Sequence, residues 1–278
     1  MNASPIDLDA YFRRIGYEGP VAPSLATLRR LHELHPGAIA FENLAAFVGE
    51  VPALDVASLQ AKLVLGGRGG WCFEQNLLFS QVLAAIGFEV KRLAARVRWN
   101  VPADVTTARS HCLMQVTIDG ERHIADVGFG GLTLTGPLRL VPGLEQATPH
   151  EPHRFVERDG IHGLEAKVAG EWATLYTFES GEAQVADYEV SNWYLSNFPR
   201  SHFVTTVVAA RSVPGVRHAL RGNRYSIHPT GGDTQRRFLA SVAEFLEVLE
   251  GPFGIRVPRS AKLEEKLARL IEEAPAGG

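Results

Sequence analysis

The chain has 278 residues, 45% hydrophobic and 21% charged, with a formal net charge of −3 and a pI of about 6.4. That length gives ample core for one large domain or two to three small ones, and the charge balance points to neither nucleic acid nor an anionic membrane as a partner. No stretch reaches the roughly 18–20 apolar residues of a membrane span, and two cysteines are not a disulfide framework.

The N-terminus, "MNASPIDLDAYFRR", carries two aspartates and no apolar signal-peptide region, so a reducing, cytoplasmic setting is expected. Residues 1–88 read as a helical block. "IDLDAYFRRIG" places Leu8, Tyr11, Phe12 and Ile15 at helical spacing before Gly16. "SLATLRRLHELHPG" repeats the pattern, with Ser24 as cap and Pro36-Gly37 as the expected stop. A third helix covers Asn76–Ile86 and stops at Gly87. Residues 89–196 change character. "EVKRLAARVRW", "HCLMQVTI", "RHIADVGF", "LRLV", "HRFVERD", "GLEAKV" and "EWATLYTF" are short runs between Gly, Pro and Asp, which is the pattern of an antiparallel barrel or sandwich. Residues 197–278 read as mixed α/β, with a strand over "FVTTVVAARS" (203–212). Two amphipathic helices follow, over Thr234–Glu250 and Ser260–Glu273, and then a frayed "APAGG" tail. The fold class is therefore α+β.

The chemistry starts at "RGGWCFEQN" (68–76). Glycines at 66, 67, 69 and 70 allow φ > 0 and close approach of a ligand. A helix starting at or just after Cys72 points its N–H groups and positive dipole end at the sulfur, which favours the thiolate. An ordinary core thiol needs no such setting. A cysteine nucleophile needs a base, and the base needs an orienting group. "RSHCLMQVTIDGERHIADVGFGG" reads as a hairpin turning on Asp119-Gly120. Opposed residues then put His111 across from Gly128 and Leu113 across from Asp126. His111 and Asp126 become diagonal neighbours on one face, with Cα atoms roughly 7–8 Å apart. A longer turn or a bulge would shift that pairing. Cys112 points to the opposite face and reads as a core thiol. The alternative for each residue is structural: a strand histidine with a satisfied ring, a turn aspartate, a buried thiol.

"RGGWCFEQN", "SHCLMQV" and "ADVGFGG" together resemble the arylamine N-acetyltransferase family, bacterial type. "IAFENL" (39–44) is similar to its Pro-Phe-Glu-Asn-Leu signature, with Ala40 in place of the proline. The resemblance covers essentially the whole chain. It implies a helical bundle (1–88), a β-barrel (89–196) and an α/β lid (197–278) around a site like that of cysteine proteases. The implied triad falls on Cys72, His111 and Asp126, as in the hairpin reading. The implied substrate pocket takes Phe41, Val97, Ser110, Gly128, Phe129 and Phe203, with Gly128 and Gly130-Gly131 leaving room for a pantetheine arm. For the aromatic positions the alternative is core packing. The implied reaction is ping-pong acetyl transfer from acetyl-CoA, through an acetyl-cysteine, to arylamines and arylhydrazines, with no metal. Trp71, Glu74 and Asn76 are expected to support the helix start, and Arg68 to form a structural ion pair.

Three other classes compete. One is a related amide synthase or another Cys-His-Asp acyltransferase, including cysteine proteases and transglutaminases. The residues around Cys72 do not match the papain-type pattern. The second is a binding protein that has lost activity. The third is a metal protein using "HELH" (32–35), expected to be solvated on a helix, or "HEPH" (150–153). Neither is the His-Glu-x-x-His zinc pattern. Oligomeric state is not legible from the sequence.

Overall fold

The structure, a computed structural model, describes residues 6–102 and 104–273; the "APAGG" tail expected at the C-terminus lies outside them. Helix α1 (Leu8–Ile15) starts where the Asp7 carboxylate accepts the Ala10 N–H, and ends at Gly16 in the left-handed region. Helix α2 (Leu25–Ala38) starts on the Ser24 hydroxyl, which accepts the Thr27 N–H. Pro36-Gly37 does not stop it. In the last turn a proline removes one donor only, and the Ile39 N–H still reaches the His35 carbonyl at 2.8 Å. A short strand β1 (Phe41–Glu42) follows, then α3 (Leu44–Phe47) and α4 (Val56–Leu59), which runs into a π-helical turn at Gln60–Leu65. Helix α5 (Cys72–Ile86) begins at the cysteine itself and ends at Gly87.

Then come β2 (Glu89–Val97), β3 (His111–Ile118), β4 (Glu121–Ala125), β5 (Leu138–Arg139), β6 (His153–Arg158), β7 (Ile161–Val168) and β8 (Glu171–Phe178). Among the described residues they form one antiparallel sheet in the order β5-β4-β3-β2-β8-β7-β6. Bridges from Pro142 to Phe155 and from Gln146 to His153 bring its two ends together, so the sheet is a nearly closed barrel. Hairpins turn at Asp119-Gly120, Asp159-Gly160 and Ala169-Gly170, each pair at positive φ, the two-residue turn that suits strand twist. Leu93, Leu113, Ile124, Phe155 and Tyr176 fill the barrel. Cys112, Met114 and Val116 alternate onto the outer face and pack with Phe79 and Val82 of α5.

Helix α6 (Val185–Asn197) buries Tyr188, Asn192 and Ser196, one per turn. Two of the three are polar, so no apolar stripe announces this helix in the sequence. The strand expected over 203–212 is corrected at its start: His202–Thr205 is a helical turn, α7, and the strand β9 runs from Val208 to Val213. The helix expected over 234–250 is corrected too. After β10 (Val216–Arg221) and β11 (Arg224–Pro229), residues Gln235–Phe238 form an edge strand, β12. Helix α8 (Val242–Glu250) starts only where the Ser241 hydroxyl accepts the Glu244 N–H. Helix α9 (Ala261–Glu272) buries Leu263 and Leu267. Both pack with Leu220, Tyr225 and Leu239 against one face of a sheet ordered β1-β9-β10-β11-β12.

Strand β1 is the seam. Phe41 and Glu42 pair with Ala210 and Ala209 of β9 on one edge. On the other edge the Glu42 N–H donates to the Gly70 carbonyl, and the Gly70 N–H donates to the Ala40 carbonyl. Asn43 continues the join: its amide donates to the carbonyls of Phe203 and Thr206, and its oxygen accepts the Val208 N–H at 2.7 Å.

Candidate active site

The loop before α5 is fixed by packing. A Cβ on Gly69 would lie 2.1 Å from the Ala40 carbonyl oxygen, so glycine is required there by the seam rather than by an approaching ligand. Arg68 donates twice to the buried Glu42 carboxylate, at 2.9 and 2.7 Å, as the structural ion pair. Glu74, anchored by Lys62 at 2.6 Å, accepts the Trp71 N–H. Trp71 donates its indole N–H to Asn192 of α6. The first turn of α5 is thereby held from three sides, with Cys72 at its N-terminal end.

His111 opens β3, and its Nε2 lies 2.7 Å from the Asp126 Oδ2, with both side chains buried. The hairpin register is the expected one, Ile118 opposite Glu121 through Met114 opposite Ala125. The ladder stops there. Asp126 lies one residue past the last pair, and its N–H goes instead to His32 Nε2 at 3.0 Å. Oδ1 of Asp126 accepts from the Asn76 amide at 2.9 Å and from the Gly128 N–H at 3.0 Å. With Nε2 committed to Asp126, Nδ1 is the ring nitrogen left to meet the thiol.

The electrostatics follow. Burial pulls the His111 imidazole down, but the Asp126 charge and hydrogen bond, with smaller help from Cys72, push it up to about 10. Burial pushes the Cys72 thiol up; the hydrogen bond from Cys112 and the hydrogen bond and charge of His111 bring it down to about 6. Burial also raises Asp126, and His111, Asn76 and Gly128 lower it below its ordinary value. At neutral pH the arrangement is a thiolate–imidazolium pair backed by a carboxylate.

Cys72 and His111 open onto a cleft of about 670 Å³, also lined by Phe41, Val97, Ser110, Gly128, Phe129 and Phe203. Asp126 lies behind His111, fully buried. Phe129 and Tyr176 pack on the His111 ring at centroid distances of 5.2 and 5.0 Å. Phe203, on the turn α7, meets Trp71 at 5.2 Å and Phe41 at 6.2 Å. Gly128 lines the cleft for a different reason from the one expected. A Cβ there would sit 2.9 Å from the Cys72 Cα and 2.9 Å from the Asn76 amide nitrogen. Gly128→Ala should therefore cost about 1–3 kcal/mol of stability through overpacking, and a thermal melt should move down by several degrees. An unchanged melt would mean that this contact yields freely.

Three supporting roles were not legible. "HELH" is not solvated: His32 and His35 are both fully buried. Burial holds His32 down to about 3, so it stays neutral and accepts the Asp126 N–H. His35 sits between the Tyr11 hydroxyl and the Gln75 side chain, whose amide reaches the carbonyls of Ala40 and Gly70. One helix turn thus steadies both the acid and the cysteine loop. Asn76 ties α5 to Asp126, the Cys112 carbonyl and the Val127 N–H rather than supporting the helix start. Its spacing of four from Cys72 was the available signal. Cys112 packs in the core, and its thiol donates to the Cys72 carbonyl at 3.1 Å; both cysteines are free. Among the described residues no group of three or more His, Cys, Asp or Glu side chains could hold a metal ion, and no helix is long and apolar enough to cross a membrane.

Comparisons with known proteins agree with this geometry. Residues 24–262 match the family model described as N-acetyltransferase. The chain is 42% identical over 255 residues to an arylamine N-acetyltransferase of Mycolicibacterium smegmatis, covering 90% of this chain and 92% of that one. The solved arylamine N-acetyltransferase of Mycobacterium marinum superposes with a TM-score of 0.92 at 40% identity, covering 95% and 100% of the two chains. The same protein in complex with CoA superposes at 0.91, again at 40% identity, covering 95% and 99%.

Proposed function

Because the chain belongs to the arylamine N-acetyltransferase family, we propose that Cys72, His111 and Asp126 carry its acetyl group from acetyl-CoA to an aromatic nitrogen. Arylamine N-acetylation with acetyl-CoA is the activity of this enzyme. The observation that carries the residue assignment is the buried 2.7 Å contact between His111 and Asp126, beside a thiol at a helix N-terminus in the cleft.

The Cys72 thiolate attacks the thioester carbonyl. First-turn N–H groups of α5 face the developing oxyanion. As the tetrahedral intermediate collapses, the C–S bond to CoA breaks and the His111 imidazolium protonates the departing sulfur. Acetyl-Cys72 and a neutral imidazole remain. An arylamine or arylhydrazine then lies against Phe129 and Phe203, whose faces suit a flat ring. Its nitrogen attacks the new thioester, His111 takes the nitrogen's proton, and the Cys72 thiolate leaves. The cycle restores the thiolate–imidazolium pair, so no proton has to be exchanged with solvent. Asp126 stabilises the imidazolium and fixes the ring orientation.

Intact mass after mixing with acetyl-CoA and no amine tests this. One acetyl group is expected on the wild type and none on Cys72→Ala, and an arylamine or arylhydrazine should release it. A folded wild type that takes no acetyl would point instead to a different acyl donor, or to a binding protein that has kept the shape of the enzyme.

A further inference from the structure

Beside the triad the cleft is bounded by the segment between β4 and β5, which carries Phe129. The shape of that segment hangs on Thr133. The Thr133 hydroxyl accepts the Phe129 N–H at 2.6 Å, and the Thr133 N–H donates to the Gly130 carbonyl at 3.1 Å. Phe129 is thereby carried to the His111 ring, at a centroid distance of 5.2 Å. These bonds fix the turn within itself. They do not fix where the turn stands relative to the rest of the cleft.

The Thr133 carbonyl supplies that anchor. It accepts from Nη2 of Arg217 at 2.9 Å, across 84 positions of sequence. Arg217 stands on β10, in the other sheet, and is 2% exposed although it borders the cleft. Its Nε lies 3.0 Å from each Glu151 oxygen, Nη2 lies 2.6 Å from Oε2, and Nη1 donates to the Ser212 hydroxyl at 2.6 Å. All three guanidinium nitrogens are therefore committed within the protein, which sets Arg217 apart from an arginine that holds a ligand. Burial raises the Glu151 carboxyl, but the charge and hydrogen bonding of Arg217 bring it below its ordinary value. His153, also buried, is pulled down to about 4 by burial and by Arg217, so it stays neutral and does not compete for the carboxylate. The "HEPH" segment finds its role here. Nε2 of His150 donates to the Val213 carbonyl at 3.1 Å, and Nδ1 accepts from the Thr135 hydroxyl at 3.1 Å. The loop that carries Glu151 is thus tied to β9 on one side and to the Phe129 segment on the other.

A buried ion pair contributes little net stability compared with apolar packing, but a planar fork on a carboxylate has strict geometry. That strictness acts on Phe129. A guanidinium held by Glu151 and Ser212 leaves one place for the Thr133 carbonyl, and through Thr133 one place for the Phe129 ring. We propose that Arg217 and Glu151 are positioning residues for acceptor selection, a clasp that sets the Phe129 ring where a flat acceptor needs it. This rests on the reading of Phe129 as a wall for the acceptor. With the clasp open, a ringed acceptor loses the face it lies against, and an acceptor without a ring loses nothing there.

The test compares phenylhydrazine with hydrazine, two nucleophiles that differ by the ring. The full-length protein is loaded with acetyl-CoA and the loading is confirmed by intact mass. The second-order rate of acetyl loss is then followed for each acceptor, with the uncatalysed reaction of a simple thioester subtracted. Wild type should favour phenylhydrazine. In Arg217→Gln that preference should fall roughly tenfold or more, since a misplacement on the order of 1 Å can cost as much as 10²-fold. A loosened fold or a disturbed His111 would slow both acceptors alike and leave the ratio standing. Glu151 is only half-buried, so Glu151→Gln should keep its fold and shift the ratio in the same direction even if Arg217→Gln does not fold. Thr133→Ser, which keeps the hydroxyl, should retain the wild-type preference, and Thr133→Val, which lacks the acceptor oxygen, should lose it. Equal rates for the two acceptors on wild type, an unchanged preference in folded Arg217→Gln or Glu151→Gln, or a Thr133→Val protein that matches Thr133→Ser overturns the proposal. A wild type that takes no acetyl fails at the loading step instead, so failure of the acetyl-cysteine reading and failure of the clasp remain separate results.

Discussion

Cys72→Ser should lose acetyl transfer by roughly 10³-fold or more while folding normally. The loss follows from ionisation. The thiol lies at about 6 and is largely thiolate at neutral pH. A serine hydroxyl in the same place starts many units higher, and one imidazolium and a helix terminus cannot bring it into range. Folding should survive because a hydroxyl is smaller than the thiol and can keep its hydrogen bonds, including the one the sulfur donates to the Ser110 carbonyl oxygen at 3.7 Å. Single-turnover acylation by acetyl-CoA, alongside a thermal melt, checks both halves. Turnover within tenfold of wild type would place the nucleophile elsewhere.

Asp126→Asn should also be severely damaging, about 10⁴-fold, the scale seen when the acid of a Ser-His-Asp triad becomes an amide. Three donors converge on the carboxylate: His111 Nε2, the Asn76 amide and the Gly128 N–H. Two oxygens satisfy them; an asparagine offers one. If that oxygen serves Asn76 and Gly128, the amide NH₂ faces His111, and the ring must move its proton to Nδ1, where it can no longer take one. If the oxygen serves His111, two buried donors confront a third. The pH dependence gives a second readout. Wild-type acylation should rise as Cys72 ionises near 6 and fall as His111 loses its proton near 10. Asp126 is what raises His111, so residual activity in the variant should lose its basic limb at lower pH, toward the ordinary imidazole range. A soluble, fully active variant with an unmoved basic limb would remove Asp126 from the site.

How far these features could be read from the sequence depended on how local their causes are. Asp119-Gly120 fixed one register, and that register carried His111 to Asp126 across fifteen positions. The glycine loop put a helix start at or just after Cys72, whereas the apolar run marks the helix only from Asn76; the helix in fact begins at Cys72, four residues earlier. What stayed hidden depended on partners far along the chain. His32 looks like a surface histidine until Asp126, 94 residues later, offers it an N–H. Thr234–Phe238 has a helix-like pattern until β11 offers it an edge. Helix α6 buries Asn192 because the Trp71 indole N–H and the Pro52 carbonyl need its hydrogen bonds. In each case the tertiary contact overrides the local pattern, and a single sequence does not encode the partner's location.

The seam at β1 bears on how the enzyme comes into being. Two residues near position 41 join the cysteine loop at Gly70 to a strand at positions 209 and 210. Closing that join spans about 170 residues of chain, the kind of long-range pairing that forms late in folding. Cys72, His111 and Asp126 all lie within the first 126 residues of the chain. The wall that carries Phe203, Ala210 and Arg217 must wait for the last third. Until then β1 has one free edge and the acyl cleft has one side. Competence to accept an acetyl group is thus a property of the finished chain alone, and acylation doubles as a stringent assay of complete folding.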